Sequence, residues 1–110
     1  MRKAKDFTRV FSQPKRSSSR TVTVLARANG TETARLGLAV AKKNVRKAVD
    51  RNRVKRLVRD YFRRHSARLS GLDVVVLARR GIDSESNAEM RAQLELHWQR
   101  LGKFSPAAGG

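Results

Sequence analysis

The segment Lys42–Arg64, KKNVRKAVDRNRVKRLVRDYFRR, limits what this chain can fold into more than any other. It carries eleven Lys or Arg against two acids, Asp50 and Asp60. From Val54 it also carries a helical apolar stripe: Val54, Leu57, Val58, Tyr61, Phe62, His65 and Leu69 recur at the spacing of one helix face. With Val54 at 0° and 100° per residue, the stripe spans roughly 300° through 80°, and Asn52, Arg56, Arg59 and Arg63 lie at roughly 140–200°. A helix of this kind needs a core on one side and tolerates an anion on the other. Val45 and Val49 fall on the basic side of the same wheel, at roughly 180° and 220°. Lys42–Val49 therefore reads as a basic crossover loop, with an early turn capped by Asn44, and Asp50 reads as the N-cap of the main helix. That puts Arg51, Arg53 and Lys55 at or near the first turn. Cations there oppose the helix dipole, and a phosphate would relieve the conflict.

The charge is unevenly spread. Of the net +17, residues 1–72 hold 21 basic and 4 acidic side chains, and residues 73–110 hold 5 of each. Self-repulsion on this scale works against a compact chain unless a polyanion neutralises it. Nucleic acid is the leading partner and an anionic membrane surface a distant second. There is no cysteine, which excludes disulfides and thiolate metal sites and suits a reducing compartment. The longest apolar run, Val74–Ala78, is too short to span a membrane. MRKAKDFTRVF lacks the apolar stretch of a secretory signal. The expectation is a cytoplasmic chain of one domain, 1–101, with a disordered small-residue tail, 102–110.

Along the chain, Met1–Lys5 reads as a frayed basic arm. Asp6 is placed to cap a short helix in which Phe7, Val10 and Phe11 share a face, ended by Pro14. Phe7 and Phe11 fit two readings, ordinary core or a stacking platform for unpaired bases. Lys15–Arg20 has room for a short edge strand. Thr21–Ala28 alternates, with Val22, Val24, Ala26 and Ala28 on one face. Asn29-Gly30 signals a turn, and Arg35–Ala41 is the next strand, antiparallel to the first by hairpin logic. Gly37, Ala39 and Ala41 leave one of its faces nearly bare. Asp60 is placed for i,i+4 pairing with Arg56 and Arg64. Ser70-Gly71 stops the main helix. Asp73–Ala78 is apolar throughout, hence central in a sheet. Ser86-Asn87-Ala88-Glu89 fits a capping box, followed by a helix with Met90, Leu94, Trp98 and Leu101 as its core side. The element order gives an α+β domain, a small sheet covered by helices, in which Arg35–Ala41 and Asp73–Ala78 could be parallel neighbours.

No catalytic set assembles. There is no Ser/His/Asp arrangement, no carboxylate pair suited to two-metal phosphoryl chemistry and no Gly-rich phosphate loop. His65, on the apolar stripe, reads as a partly buried structural histidine, and with only one other histidine, His97, a metal site is not expected. If the chain takes part in an enzyme, the catalytic metal ions and their ligands come mainly from elsewhere. What it offers is a phosphate-binding surface.

Ala48-Val49-Asp50-Arg51-Asn52-Arg53-Val54-Lys55-Arg56-Leu57 resembles the signature of the bacterial ribonuclease P protein component. Asp6–Phe11, Arg35–Lys43 and Asp73–Arg79 resemble that family's first helix, the strand leading into its basic helix and its late strand, in the same order. The resemblance implies a single-domain α–β sandwich with a small mixed sheet and a left-handed βαβ crossover, an exception to the usual handedness. It implies a subunit of an RNA-based endoribonuclease, in which a catalytic RNA with Mg²⁺ removes the 5′ leader of precursor tRNA. The protein would hold no catalytic residue, metal or cofactor of its own, and no protein partner is called for. By the same resemblance Arg51, Asn52, Arg53, Lys55, Arg56 and Arg59, with Lys42, Lys43 and Arg46 beside them, would contact the RNA subunit. Phe7 and Phe11, with Val22 and Val24 of the first long strand, would line a cleft for the leader. Two positions depart from the family: the strand place often held by an aromatic falls to Val24, and Arg46 stands where many members have Gly. The alternatives are a ribosomal-type protein that only scaffolds RNA, and a helix-turn-helix DNA binder. The second lacks a short partner helix upstream of Val54.

Overall fold

The computed structural model describes residues 14–105. Strands β1 (Lys15–Ser18), β2 (Val22–Ala28), β3 (Arg35–Ala39) and β4 (Leu72–Ala78) form one sheet in the order β1-β2-β4-β3. Helix α1 (Ala48–His65) connects β3 to β4, and α2 (Asn87–Gly102) closes the described chain. Short 3₁₀ turns, Ser66–Leu69 and Ile82–Ser84, follow α1 and β4.

The run Leu72–Ala78 occupies the centre of the sheet because both its faces are apolar and it needs a neighbour on each side. It pairs antiparallel with β2 and parallel with β3. The expected β2–β3 hairpin is therefore absent: the two strands do run in opposite directions, but β4 lies between them. A tight two-residue turn cannot bridge two strand spacings, about 10 Å. The longer loop after Asn29 can. Its geometry is held by Asn29, whose Nδ2 donates to Thr33 O (2.9 Å) and Asp73 Oδ1 (3.1 Å), and by Gly30 at φ +75°.

Strand register sorts every side chain. Val22, Val24 and Ala26 stand opposite Ala78, Val76 and Val74, and Leu36 and Leu38 lie beside Val74 and Val76. This face meets Val54, Leu57, Val58 and Tyr61 of α1 and Met90, Leu94, Trp98 and Leu101 of α2 in one core. The wheel read from Val54 is thus the observed packing face. Trp98, fully buried, meets Tyr61 edge-on at 5.1 Å between centroids, and its Nε1 donates to His65 O (3.1 Å), satisfying a carbonyl at the C-terminus of α1. The Ser86–Glu89 capping box forms at the start of α2.

Three further expectations need correction. Helix α1 starts at Ala48 with Lys47 at the N-cap, and Asp50 sits inside the first turn, where its charge suits the dipole without capping. Val45 is not on a basic surface but fully buried. It precedes the helix, so the wheel does not apply to it; the Asn44 and Val45 amides both donate to Ala41 O (3.0 Å each), and that turn drives Val45 inward. Val49, within the helix, is 69% exposed as the wheel requires. Finally, the C-terminal segment stays packed beyond 102: Gly102 ends α2 and Ser105 is buried, donating to Ser70 O.

Candidate nucleic-acid interface

The exposed side of α1 carries the cationic row. Asn52, Arg56 and Arg59 are exposed and Lys55 half-buried, and none of the four has a partner among the described residues. With Arg53, Asp60 and Arg63 of α1 and Asn87 and Arg91 of α2, they line an open groove between the two helices. Asp60, its one acid, pairs with Arg63 (2.5 Å) and Arg64 (3.3 Å) rather than with Arg56.

Arg51 and Arg53 are placed differently. The Arg51 guanidinium donates through Nη1 to Val45 O (3.0 Å) and Arg46 O (2.8 Å), fastening the crossover loop to the helix. Arg53 donates to Asn87 Oδ1 (2.6 Å) and Glu85 O (2.9 Å), fastening α1 to the entry of α2. With the helix starting at Ala48, only Arg51 lies in the first turn, and the carbonyls of Val45 and Arg46 offset its unfavourable position there; Arg53 falls in the second turn, clear of the positive helix end. Lys42, Lys43 and Arg46 are exposed on the crossover. Lys43, Arg46 and Lys47 share a second basic depression with Arg80. Arg80 is a member that only the fold brings in.

Four of the eight described acids are held in ion pairs, and Asp50 and Asp83 sit in the second basic depression itself. Glu85 pairs with Arg20 (2.9 Å), and Asp73 with Arg35 (2.7 Å). Glu95 accepts both Arg68 nitrogens (2.8 and 2.9 Å) and the Tyr61 hydroxyl. Arg68, with Tyr61 second, holds the Glu95 carboxyl down at about 2; burial, then Glu95, pushes the Tyr61 hydroxyl up to about 12. Among the described residues no group of three or more His, Asp or Glu could hold a metal ion. No described helix is long and apolar enough to cross a membrane.

The face of the sheet opposite the helices is the second candidate surface. Val22 and Val24 are not on it. They are buried under the helices and have no surface to offer a leader. The alternate set faces that way: Thr23 and Leu25 of β2, Val75 and Leu77 of β4, Gly37 and Ala39 of β3. A Cβ on Gly37 would meet Val75 Cγ2 at 3.4 Å. Arg16, Thr23, Ala39, Leu77 and Arg79 line a depression there. The signal was available in the sequence. Val22, Val24 and Ala26 are uniformly apolar, whereas Thr23, Leu25 and Arg27 mix polar with apolar, and the uniform set belongs to the core. Phe7 and Phe11, the other expected cleft residues, lie outside the described residues.

The family pattern described as ribonuclease P matches residues 1–102, nearly the whole chain. The chain belongs to the ribonuclease P protein family. It is 47% identical to the ribonuclease P protein component of Proteus mirabilis over 96 residues, 87% of this chain and 81% of that protein. To that of Chromohalobacter salexigens it is 48% identical over 101 residues, covering 91% and 79%. Among solved structures, the RNase P protein of Thermotoga maritima, bound to 1-(4-fluorophenyl)-2-thiourea, superposes with a TM-score of 0.74 at 32% identity, covering 91% of this chain and 97% of that one. The Staphylococcus aureus RNase P protein also reaches 0.74, at 28% identity and 92% of each chain. The mixed four-stranded sheet with helices on one face is therefore the fold of the ribonuclease P proteins.

Proposed function

We propose that this chain is the protein subunit of ribonuclease P, docking on the RNA subunit through the exposed row of α1. The observation that carries the reading is the separation of roles within one basic helix. Arg51 and Arg53 are spent on holding the scaffold, while Asn52, Lys55, Arg56 and Arg59 stand on a rigid surface without partners. A preformed row of cations loses little entropy when phosphates arrive, and each contact releases condensed counterions. Lys42, Lys43 and Arg46 extend this surface along the crossover. Arg46, in place of the family's frequent Gly, supplies a charge on a loop that Arg51 already holds.

In this reading the RNA subunit carries the reaction, with Mg²⁺ bound by RNA. The protein screens the repulsion between catalytic RNA and precursor tRNA and holds the 5′ leader so that the scissile bond is positioned. The sheet face bearing Leu25, Val75 and Leu77, flanked by Arg16 and Arg79, suits an unpaired strand: apolar ground for bases with cations at its rim. Phe7 and Phe11 would complete that cleft.

Reconstitution tests the proposal. The chain, added to a bacterial ribonuclease P RNA at low Mg²⁺, should stimulate removal of the leader from precursor tRNA and bind precursor more tightly than mature tRNA. Absence of stimulation at saturating protein would refute it. Equal affinity for the two tRNAs would favour a purely scaffolding role.

A further inference from the structure

Phe104 is held outside the core by a backbone that is fixed on both sides. Its amide donates to Leu101 O (3.0 Å), Leu101 and Ser105 are both buried, and yet the Phe104 ring is 42% exposed. Two ammonium groups attend it: Lys15 Nζ lies 4.8 Å and Lys103 Nζ 5.9 Å from the ring centroid. One helical turn earlier, the exposed Arg100 reaches β1, donating through Nη1 to Ser17 Oγ (3.3 Å) and Ser18 O (3.4 Å). None of these three cations is ion-paired with a described carboxylate. The patch lies at the β1 edge of the sheet, whereas the crossover loop leaves from β3 at the opposite edge. Phe104 also falls beyond residues 1–102, the part matched by the family.

An exposed aromatic face ringed by uncompensated cations has the chemistry of a single-strand nucleic-acid contact. A base stacks on the ring, and the phosphates on either side meet the ammonium and guanidinium groups. A folded duplex presents no free base face and gains only the charge term. We infer that Phe104, with Lys15, Lys103 and Arg100, forms a second RNA contact that takes an unpaired nucleotide of a single-stranded RNA segment. The inference rests on the RNA-binding reading of the chain but uses a surface separate from α1.

The test uses the full chain with F104W, F104L and F104A, and two probes: a ten-nucleotide oligoadenylate and an RNA duplex of ten base pairs. Trp98 is fully buried, so its emission serves as a constant background to the indole introduced by F104W. Oligoadenylate should quench that indole, and the duplex should not. F104A and F104L should both weaken oligoadenylate binding about tenfold, while F104W retains it. Loss with F104A but not F104L would make the ring an apolar packing element and overturn the inference. So would absent quenching, or equal quenching by the duplex. The α1 reading is scored separately. R56A/R59A should leave the F104W quenching in place while lowering affinity for the ribonuclease P RNA. Should the Phe104 variants behave as wild type while low-Mg²⁺ stimulation persists, only the second contact is lost.

Discussion

Arg51 and Arg56 have the same side chain on the same helix and do different work. Arg51 donates to two carbonyls of the crossover loop, whereas Arg56 projects without a partner. R51A is expected to destabilise the chain by about 1–2 kcal/mol through loss of charge-assisted hydrogen bonds, seen as a lower midpoint in urea unfolding. R56A/R59A should leave that midpoint within about 0.5 kcal/mol of wild type, as for exposed substitutions generally. The same pair should reduce the slope of log K against log salt for the RNA subunit by about 2, one for each phosphate contact. The two outcomes separate scaffold arginines from docking arginines, which composition cannot do. Val24 makes the converse point. Buried opposite Val76, it should lose roughly 1–3 kcal/mol as V24A, with leader affinity per folded molecule unchanged.

Helix α2 is pinned to the sheet edge by a polar network rather than by apolar contacts alone. His97, fully buried, meets Ser17 Oγ at Nδ1 (2.6 Å) and Ser19 Oγ at Nε2 (2.9 Å), binding the short β1 edge to the helix. Burial pushes its imidazole down to about 4. Between about pH 6.5 and that value the unfolded chain takes up a proton that the folded chain refuses. Stability is therefore complete above pH 6.5 and declines as pH falls, by about 3 kcal/mol at the acid end of the window. Below pH 4.5 the Glu95 carboxylate, held down by Arg68, adds a further loss as pH falls toward 2. Thermal melts at pH 7, 5.5 and 4 should show the decline. H97Q should melt lower at pH 7 and change less between pH 6.5 and 4. At the other end of α2, S86A removes the side-chain half of the capping box and is expected to cost about 1 kcal/mol by the same melts.

For the whole molecule, charge distribution is the governing property. Four of the eight described acids, Asp60, Asp73, Glu85 and Glu95, are drawn into pairs with Arg20, Arg35, Arg63, Arg64 and Arg68. The cations of the α1 row and of the crossover, Lys42, Lys43, Arg46, Lys47, Lys55, Arg56 and Arg59, are left without an ion-pair partner among the described residues. Added polyanion or sulfate should raise the melting temperature, because ligands that bind only the folded state stabilise it by mass action and here also relieve self-repulsion. Unchanged melting across a sulfate series at constant ionic strength would contradict this account.

Periodicity and charge by themselves determined the amphipathic helix and its core face from Val54 to Tyr61, the central strand, the capping box and the partner class. Each follows from local spacing, and neighbouring residues decide it. The helix itself ends at His65, and Leu69 reaches the core from a 3₁₀ turn. What remained for the tertiary structure was whatever depends on residues distant in the chain. The entry of β4 between β2 and β3 replaced a hairpin with a crossover. The turn on Ala41 carried Val45 into the core. Carbonyls at Val45, Arg46 and Glu85 claimed Arg51 and Arg53, and register assigned Val22 and Val24 to the core and Thr23 and Leu25 to the other face. A basic run makes a helix suited to meet an anion. Which of its cations are left for the anion depends on which carbonyls the fold has brought within reach.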